Sequence, residues 1–470
     1  MINSITNRIG QARRVLKGMK SIREGLDPER AQARATIWNE LPAIAKDQKH
    51  QWLGVISTGC AATHNVLERC DFYCTACYLS DEANHTPPLP FDEVKKQLDE
   101  IRARLGPSAN TQITAGEVTL LPREELIRIV RYAVDIGLDP MVMTHGQHFL
   151  NDPTYLHDLM VKGGLQKISV HIDTTQRGRK FLKKGMREAD LNPLRDQFAN
   201  MIRDARRITG LTLHAAHSLT ITEANYDDVP AVMAWAERNN DAFRLWSFQP
   251  TADVGRTKAQ DQTNQQEDIW KNICANMKEP ANRHTFSFGH PDCNTMSLLW
   301  VVRFNGQHKL MEIKRDGKRI DNWFFDEVMN SAFNGFYADG VDDAALVGKW
   351  LGMFMKSPKY IWQWPAYSAY RAWFDRDWVP TFVKTVLTGG EWSVTPFVLI
   401  VHNFMSREEI QTEKGQERLA ACSFRLPVEV DGEMKMVSMC EMNGTDLRKK
   451  KNLEVQELLN IGRSRDRAAE

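Results

Sequence analysis

Between about residues 50 and 260 the sequence alternates short β-rich runs with longer amphipathic stretches, six times over, and this alternation constrains the fold more than any other feature. The runs are Trp52 to Ser57, Thr111 to Thr114, Met141 to Met143, Lys167 to Ile172, Leu211 to Leu219 and Phe243 to Phe248. Between them, Phe91 to Leu105 and Arg123 to Ile136 read as helices opened by Pro90 and Pro122, because the first helical turn has no use for the N–H that proline lacks. Six such repeats imply a parallel sheet, either an open doubly wound sheet or a partial barrel. In both cases ligands gather at the C-terminal ends of the strands.

The rest of the composition excludes other classes. The 470 residues carry 61 Lys plus Arg against 60 Asp plus Glu, a net charge of +1. Such a balance speaks against nucleic-acid binding through bulk electrostatics. Cysteines at 60, 70, 74, 77, 274, 293, 422 and 440 are too dilute for a disulfide framework. No apolar core of a secretory signal opens the chain. The longest apolar stretch, around Val394 to Val401, is far short of the ~18 residues of a membrane span. The expected location is the cytoplasm, where clustered thiols read as metal ligands or catalytic groups.

The expected domains are an N-terminal segment at 1–49, the core at 50–260, a polar linker at 261–285 and a C-terminal domain at 286–470. Residues 1 to 23 carry six Lys/Arg and no acid, with Ile2, Ile5, Ile9, Ala12, Leu16 and Met19 at helical spacing. This basic amphipathic helix suits either the anionic inner face of a membrane or packing on the main domain. Leu298 to Ile313 looks like a hairpin turning at Asn305-Gly306. From 350 to 382, eleven residues are aromatic, interleaved with Lys356, Lys359, Arg371 and Arg376; the pattern fits an interfacial segment or a lid over the sheet.

Cys70, Cys74 and Cys77 stand as C-x3-C-x2-C, in the loop expected after the first strand. Three thiolates at this spacing do not complete a tetrahedral zinc site, and no fourth ligand has the usual paired spacing. They suit three irons of a [4Fe–4S] cube whose fourth iron stays open to a chelating ligand.

This motif resembles that of the radical S-adenosylmethionine enzymes. Thr114 to Pro122 (TAGEVTLLP) is similar to the family's G-G-E-P element, and His171-Ile172-Asp173-Thr174 to its S-x-D strand ending. The resemblance implies a partial (βα)6, TIM-like barrel with a C-terminal α+β extension, a [4Fe–4S] cluster on Cys70, Cys74 and Cys77, and S-adenosylmethionine chelated to the open iron. It also implies an electron donor such as ferredoxin or flavodoxin. Gly116, Glu117, Asp173 and Thr174 become the candidate cofactor-binding residues, with Glu117 accepting hydrogen bonds from the cofactor's ammonium. The motif departs from the family at Ala76, where an aromatic residue is usual, so that Phe72, Tyr73 or Tyr78 is left to supply the packing. It departs again at Ala115, in place of a glycine, and at the proline, which is either Thr119 or displaced to Pro122.

Ser247 to Arg256 and Gly289-His290-Pro291-Asp292-Cys293 are loosely similar to a subgroup that includes tetraether-lipid synthases and pterin-methyltransferase-type enzymes. The implied reaction is hydrogen abstraction from an apolar, lipid-like substrate, leading to C–C bond formation or methylation. Modification of a peptide or small metabolite, and a non-catalytic iron–sulfur redox or scaffold role, are the alternatives. Cys293, Cys422 and Cys440 are candidates for an auxiliary cluster, with His290, Cys274 or Cys60 to complete it, or they are buried small hydrophobes. His145, His214 and His217 are candidates to orient substrate or move a proton, and Arg177 and Arg179 to bind an anionic group or the cofactor carboxylate.

Overall fold

The computed structural model describes residues 12, 15, 16, 19, 27–257, 266–277, 280–315, 317–331, 348, 351, 352, 355 and 358–457. The chain forms two compact units. One comprises Ala33–Ser297 and Val398–Glu470, the other Met1–Gln32 and Leu298–Phe397. The stretch expected as a C-terminal domain, 286–470, is thus shared between them. The basic helix expected at 1 to 23 lies outside the described residues except for Ala12, Val15, Leu16 and Met19.

The strands in chain order are β1 (Cys60–Ala62), β2 (Tyr73–Cys74), β3 (Asn110–Ile113), β4 (Asp139–Thr144), β5 (Lys167–His171), β6 (Gln176–Arg177), β7 (His214–Ile221), β8 (Phe243–Pro250), β9 (Asn294–Phe304), β10 (Gln307–Glu312), β11 (Trp392–His402), β12 (Phe424–Val430) and β13 (Glu433–Ser438). In the larger unit eight strands pair in parallel in the order β11-β8-β7-β5-β4-β3-β1-β12, β11 joining through Val398 to Val401, and β13 adds an antiparallel edge. The chain is therefore a mixed α/β protein with a large parallel sheet. Its central strands bury much of their length, β7 nearly all of it, and Val142, Ile168, Val170, Leu219 and Phe248 are fully enclosed.

The helices follow the expected amphipathic pattern. Phe91–Leu105 buries Val94, Leu98, Ile101 and Leu105 on one stripe and ends at Gly106, whose φ of +76° is free of strain only without a side chain. Arg123–Asp135 likewise buries Leu126, Ile127, Ile129, Val130 and Ala133. Each such side chain contributes about 1.5–3 kcal/mol on leaving water.

One expected strand is corrected. Trp52 to Ser57 forms a turn, in which the N–H groups of Ile56 and Ser57 both reach back to the Trp52 carbonyl and Gly54 donates to Ser57. At Gly54 (φ +78°) a Cβ would collide with Trp38, so the backbone closes on itself. The first strand is Cys60–Ala62 instead. Conversely β11 and β12, two of the parallel strands, come from a region where the six-fold alternation gave no cue: their parallel neighbours lie more than a hundred residues away in sequence.

In the smaller unit β9 and β10 form the expected hairpin, turning at Asn305 (φ +50°) and Gly306 (φ +72°) as a two-residue turn of this kind demands. Val302, Phe304 and Trp378 pack there with Met311, Val379 and Phe382. Of the aromatic-rich stretch, Trp350 and Phe354 lie outside the described residues, and the part from residue 358 on holds the helices Tyr360–Phe374 and Val379–Leu387. Asp321, fully buried, is paired by Arg315 at 2.7 Å and Arg371 at 3.4 Å.

Candidate functional site

The three clustered cysteines lie in the loop between β1 and the helix Phe91–Leu105, and four segments hold that loop in place. Cys77 donates its N–H to Thr257 Oγ1 (2.8 Å) and accepts at its carbonyl from Arg256 N (2.9 Å). Beside them Gly255 (φ +55°) runs so close to Cys77 and Tyr78 that any Cβ would press into their backbone. Cys74 sits on β2, which pairs antiparallel with β6 after the end of β5. Upstream of Cys70, Gly116 and Glu117 donate their N–H groups to the carbonyls of Leu67 (3.0 Å) and Arg69 (2.9 Å). A Cβ at Gly116 would run into the carbonyls of Glu68 and Arg69, so this glycine serves the close approach of two backbone segments.

The fourth clamp comes from the C-terminal helical residues 447–457. Arg448 pairs with the fully buried Glu68 (2.7 Å), and its guanidinium stands 5.1 Å from the Tyr78 ring centroid. Asn452 bonds Ser80 (2.9 Å) and Asn65 (2.5 Å). Nothing in the sequence of this helix marks it as part of the site, because its partners lie some 380 residues away; tertiary contact alone reveals it.

Burial raises the ordinary pKa of all three thiols, Cys70 to about 12 and the others in the same direction. They therefore stay protonated until an electrophilic metal displaces the protons. Among the described residues the ligand atoms of Cys70, Asp71 and His145 lie within 4.8 Å of one another, whereas the three sulfurs together do not. A single ion, with metal–sulfur bonds of about 2.3 Å, needs the tighter grouping. A polynuclear cluster spreads its thiolates farther apart.

Charges of both signs surround the thiols: Arg179, Arg256 and Arg448 favour the thiolates, and Glu68, Asp71, Glu117 and Asp173 oppose them. The Arg256 guanidinium lies close enough to Cys77 to favour its thiolate, yet its Nε and one Nη are buried without a hydrogen-bond partner. Arg179, 3% exposed, caps the carbonyls of His145 (2.8 Å) and His171 (3.3 Å) and covers the Phe72 ring; burial brings its pKa down to about 10. Arg177 is exposed on β6.

Glu117 is fully buried, and its carboxylate is taken up by this chain. One oxygen accepts from Thr119 N, Thr119 Oγ1 and Thr144 Oγ1, the other from His145 N at 2.8 Å with His145 Nε2 at 3.3 Å. Its place is that of an organiser between the loop after β3 and the end of β4. Asp173 is equally enclosed: it accepts from Thr175 N (2.9 Å), Thr175 Oγ1, Thr220 N (2.7 Å) and the His171 ring. Burial alone would raise its pKa, but His171 and these donors outweigh it and hold the carboxylate well below its usual range. Thr174 donates through both N and Oγ1 to Glu188, itself paired with Arg195.

His145 follows β4 with its ring stacked on Phe72 at 3.9 Å. Its Nδ1 accepts the Gln147 N–H (3.1 Å), which leaves the proton on Nε2, and Nε2 donates to Asp71 (2.8 Å). Burial would raise the Asp71 pKa, yet hydrogen bonds from His145 and His148 keep it far below the ordinary range. Of the three aromatic residues near the cysteines, Phe72 and Tyr78 are thus built into the packing, and Tyr73 faces solvent. His217 belongs to the core: it stacks on Trp246 at 4.0 Å, and burial first, then Arg195, keep it neutral. His214 stands at the start of β7.

Cys293, Cys422 and Cys440 are brought together elsewhere in the same unit, where they influence one another electrostatically. Cys60 shares a cavity with Cys422, and Cys274 is buried at the end of the helix Gln266–Ile273.

No family model matches the sequence, and no curated protein matches it significantly. Solved structures similar to the chain include anSMEcpe with bound AdoMet, in a histidine-tagged form (12% identity, TM-score 0.35, 46% of this chain and 56% of that one) and a native form (11%, 0.33, 46% and 59%). Another is a xylose isomerase-like TIM barrel protein from Mycobacterium smegmatis in complex with magnesium (13%, 0.29, 64% and 97%). The chain spans a little over half the length of the anSMEcpe structures. The functional reading therefore rests on the residues of this chain.

Proposed function

We propose that the chain is a radical S-adenosylmethionine enzyme with a partial (βα)6 barrel, in which Cys70, Cys74 and Cys77 hold three irons of a [4Fe–4S] cluster. The observation that carries this is the combination of three protonated, half-buried thiols on a four-way clamped loop with the orphaned guanidinium nitrogens of Arg256 beside Cys77. That cation suits an anionic cluster or a ligand carboxylate. When bound, the cluster supplies one electron, taken from a donor such as ferredoxin or flavodoxin, to split a C–S bond of S-adenosylmethionine into methionine and a 5′-deoxyadenosyl radical. The chain's own part is to fix the loop, through Gly116, Glu117, Gly255 and Arg448, and to keep water from the thiols. Asp173 and Thr174 shape the neighbouring strand end, and Tyr73 is the exposed ring beside Cys74.

The substrate reading is an apolar, lipid-like molecule at a membrane surface. It is supported by the smaller unit, where Ile361, Trp362 and Trp373 of one helix are 62–68% exposed and Leu387 of the next is 81% exposed, beside Arg376 and Lys384. Among the described residues no helix is long and apolar enough to cross a membrane. Exposed aromatic and basic residues suit attachment at the interface.

Anaerobic reconstitution tests the core reading. Wild type should gain [4Fe–4S] absorbance and release 5′-deoxyadenosine under a strong reductant, and Cys74→Ala should lose both. Cluster binding without cleavage would favour a redox or scaffold role instead. Co-sedimentation with anionic vesicles, for wild type and a chain lacking residues 1 to 23, tests the membrane reading; no binding by either discards it.

A further inference from the structure

Residues 177 to 187 (RGRKFLKKGMR) carry six Lys/Arg and no acid, in a chain whose charges otherwise balance to +1. The structure roots this segment at both ends and leaves its middle open. At the near end Arg177 lies on β6 directly across from Tyr73 on β2, so the two side chains share one face of the ribbon that carries Cys74. Arg179 turns inward to bond Gln176 Oε1 (2.9 Å) and the carbonyls of His145 (2.8 Å) and His171 (3.3 Å), which fixes the root where β4 and β5 end. At the far end Arg187 pairs with Asp228, and its N–H reaches Asp190 (2.8 Å). Between these anchors Gly185, at φ +84°, has nothing within 4 Å of where a side chain would begin.

Arg177, Lys180, Lys183 and Lys184 are exposed, and among the described residues none of the four forms an ion pair. In their midst Phe181 is 40% exposed and Leu182 is half-buried, while Tyr73 beside Arg177 is 62% exposed. Unpaired cations repel one another, and an aromatic ring left in water forgoes the gain of burial. A partner with an anionic layer over an apolar one relieves both. We propose that residues 177–187 dock the larger unit on an anionic lipid surface, with Phe181 entering the headgroup layer and the four cations pairing with lipid phosphates. Rings interleaved with cations are the pattern of an interfacial segment, whereas a nucleic acid or an acidic protein calls for the charge alone. The segment begins where β5 ends, and its first strand pairs with the one that holds Cys74, so a lipid surface held there offers its molecules to the candidate site. The inference rests on the reading that the substrate is lipid-like, but it is carried by residues outside the smaller unit.

Hydrogen exchange on the full chain, read by mass spectrometry with and without vesicles, tests it. Mixed phosphatidylglycerol and phosphatidylcholine vesicles should slow exchange across 177–187, and phosphatidylcholine alone should not. Lys180→Glu/Lys183→Glu/Lys184→Glu should bind the mixed vesicles at least roughly tenfold more weakly, and Phe181→Ser several-fold more weakly, while both melt like wild type. If wild type binds the vesicles yet exchange across 177–187 is unchanged, this inference falls and the membrane reading of the smaller unit stands. If 177–187 is protected while Trp362→Ser/Trp373→Ser binds as tightly as wild type, the part given to the smaller unit falls and this one stands. No binding by wild type discards both. Protection by an acidic protein such as flavodoxin, with none by vesicles, overturns the lipid assignment. Should the triple variant fail to fold, the exchange of wild type decides alone.

Discussion

His145 Nε2 donates to Asp71 Oδ1 at 2.8 Å, and this one hydrogen bond ties the end of β4 to the residue that follows the first cysteine of the cluster loop. The same nitrogen lies 3.3 Å from Glu117, so a single imidazole joins three of the segments that shape the site. Replacing it with alanine removes the hydrogen bond to Asp71, the Nε2 contact with buried Glu117 and the Phe72 stacking partner. His145→Ala should lose about 1–3 kcal/mol of stability and load less iron, read by melting and iron analysis. Unchanged loading would show that the loop is fixed without this residue.

Gly116 meets backbone on its open side, so Gly116→Ala forces Glu68 and Arg69 to move and Cys70 with them. Overpacking of this kind costs about 1–3 kcal/mol. The expected signature is a loss of cluster absorbance larger than in Gly210→Ala, where the φ of +67° strains the new side chain but no atom stands in its way. Equal absorbance in the two would count against the backbone clamp.

Arg448 pairs with a fully buried carboxylate, and removing only the cation leaves Glu68 charged and uncompensated. Arg448→Met should cost about 3–5 kcal/mol, whereas the double variant Arg448→Met/Glu68→Gln should recover much of it. Urea unfolding of the three chains measures the coupling.

His217 is buried and kept neutral by its surroundings, so the unfolded chain accepts a proton that the folded one refuses. There is no cost above the unfolded value of about 6.5; below it, stability falls as pH falls, by at most about 1.4 kcal/mol per pH unit. His217→Gln keeps an acceptor for Arg195 without titrating and should flatten the stability profile between neutral and mildly acidic pH. Parallel profiles for wild type and variant would exclude His217 as the cause.

Trp362 and Trp373 are 62% and 68% exposed on the smaller unit. If they enter a lipid interface, Trp362→Ser/Trp373→Ser should bind anionic phosphatidylglycerol vesicles several-fold more weakly, with a residual attraction that salt abolishes. Vesicle co-sedimentation at two salt concentrations checks both halves.

The helices Phe91–Leu105 and Arg123–Asp135, the strands β3, β4, β5, β7 and β8 and the hairpin at Asn305-Gly306 were legible in the chain because local periodicity and turn chemistry dictate them. The cysteine spacing is equally local. The turn at Gly54 escaped such reading because it answers to Trp38, and β11 and β12 because a parallel strand finds its register only against distant neighbours. The same holds for the site. Sequence named Glu117 and Asp173, but only the fold occupies their carboxylates with Thr119, Thr144 and His145 in one case and with Thr175, Thr220 and His171 in the other. Sequence also named Cys293, Cys422 and Cys440 as separate residues. The meeting of Cys293 with the other two, and the arrival of Arg418 and Arg448 beside buried groups, depend on contacts across more than a hundred residues, which burial of apolar surface brings about and no local pattern encodes.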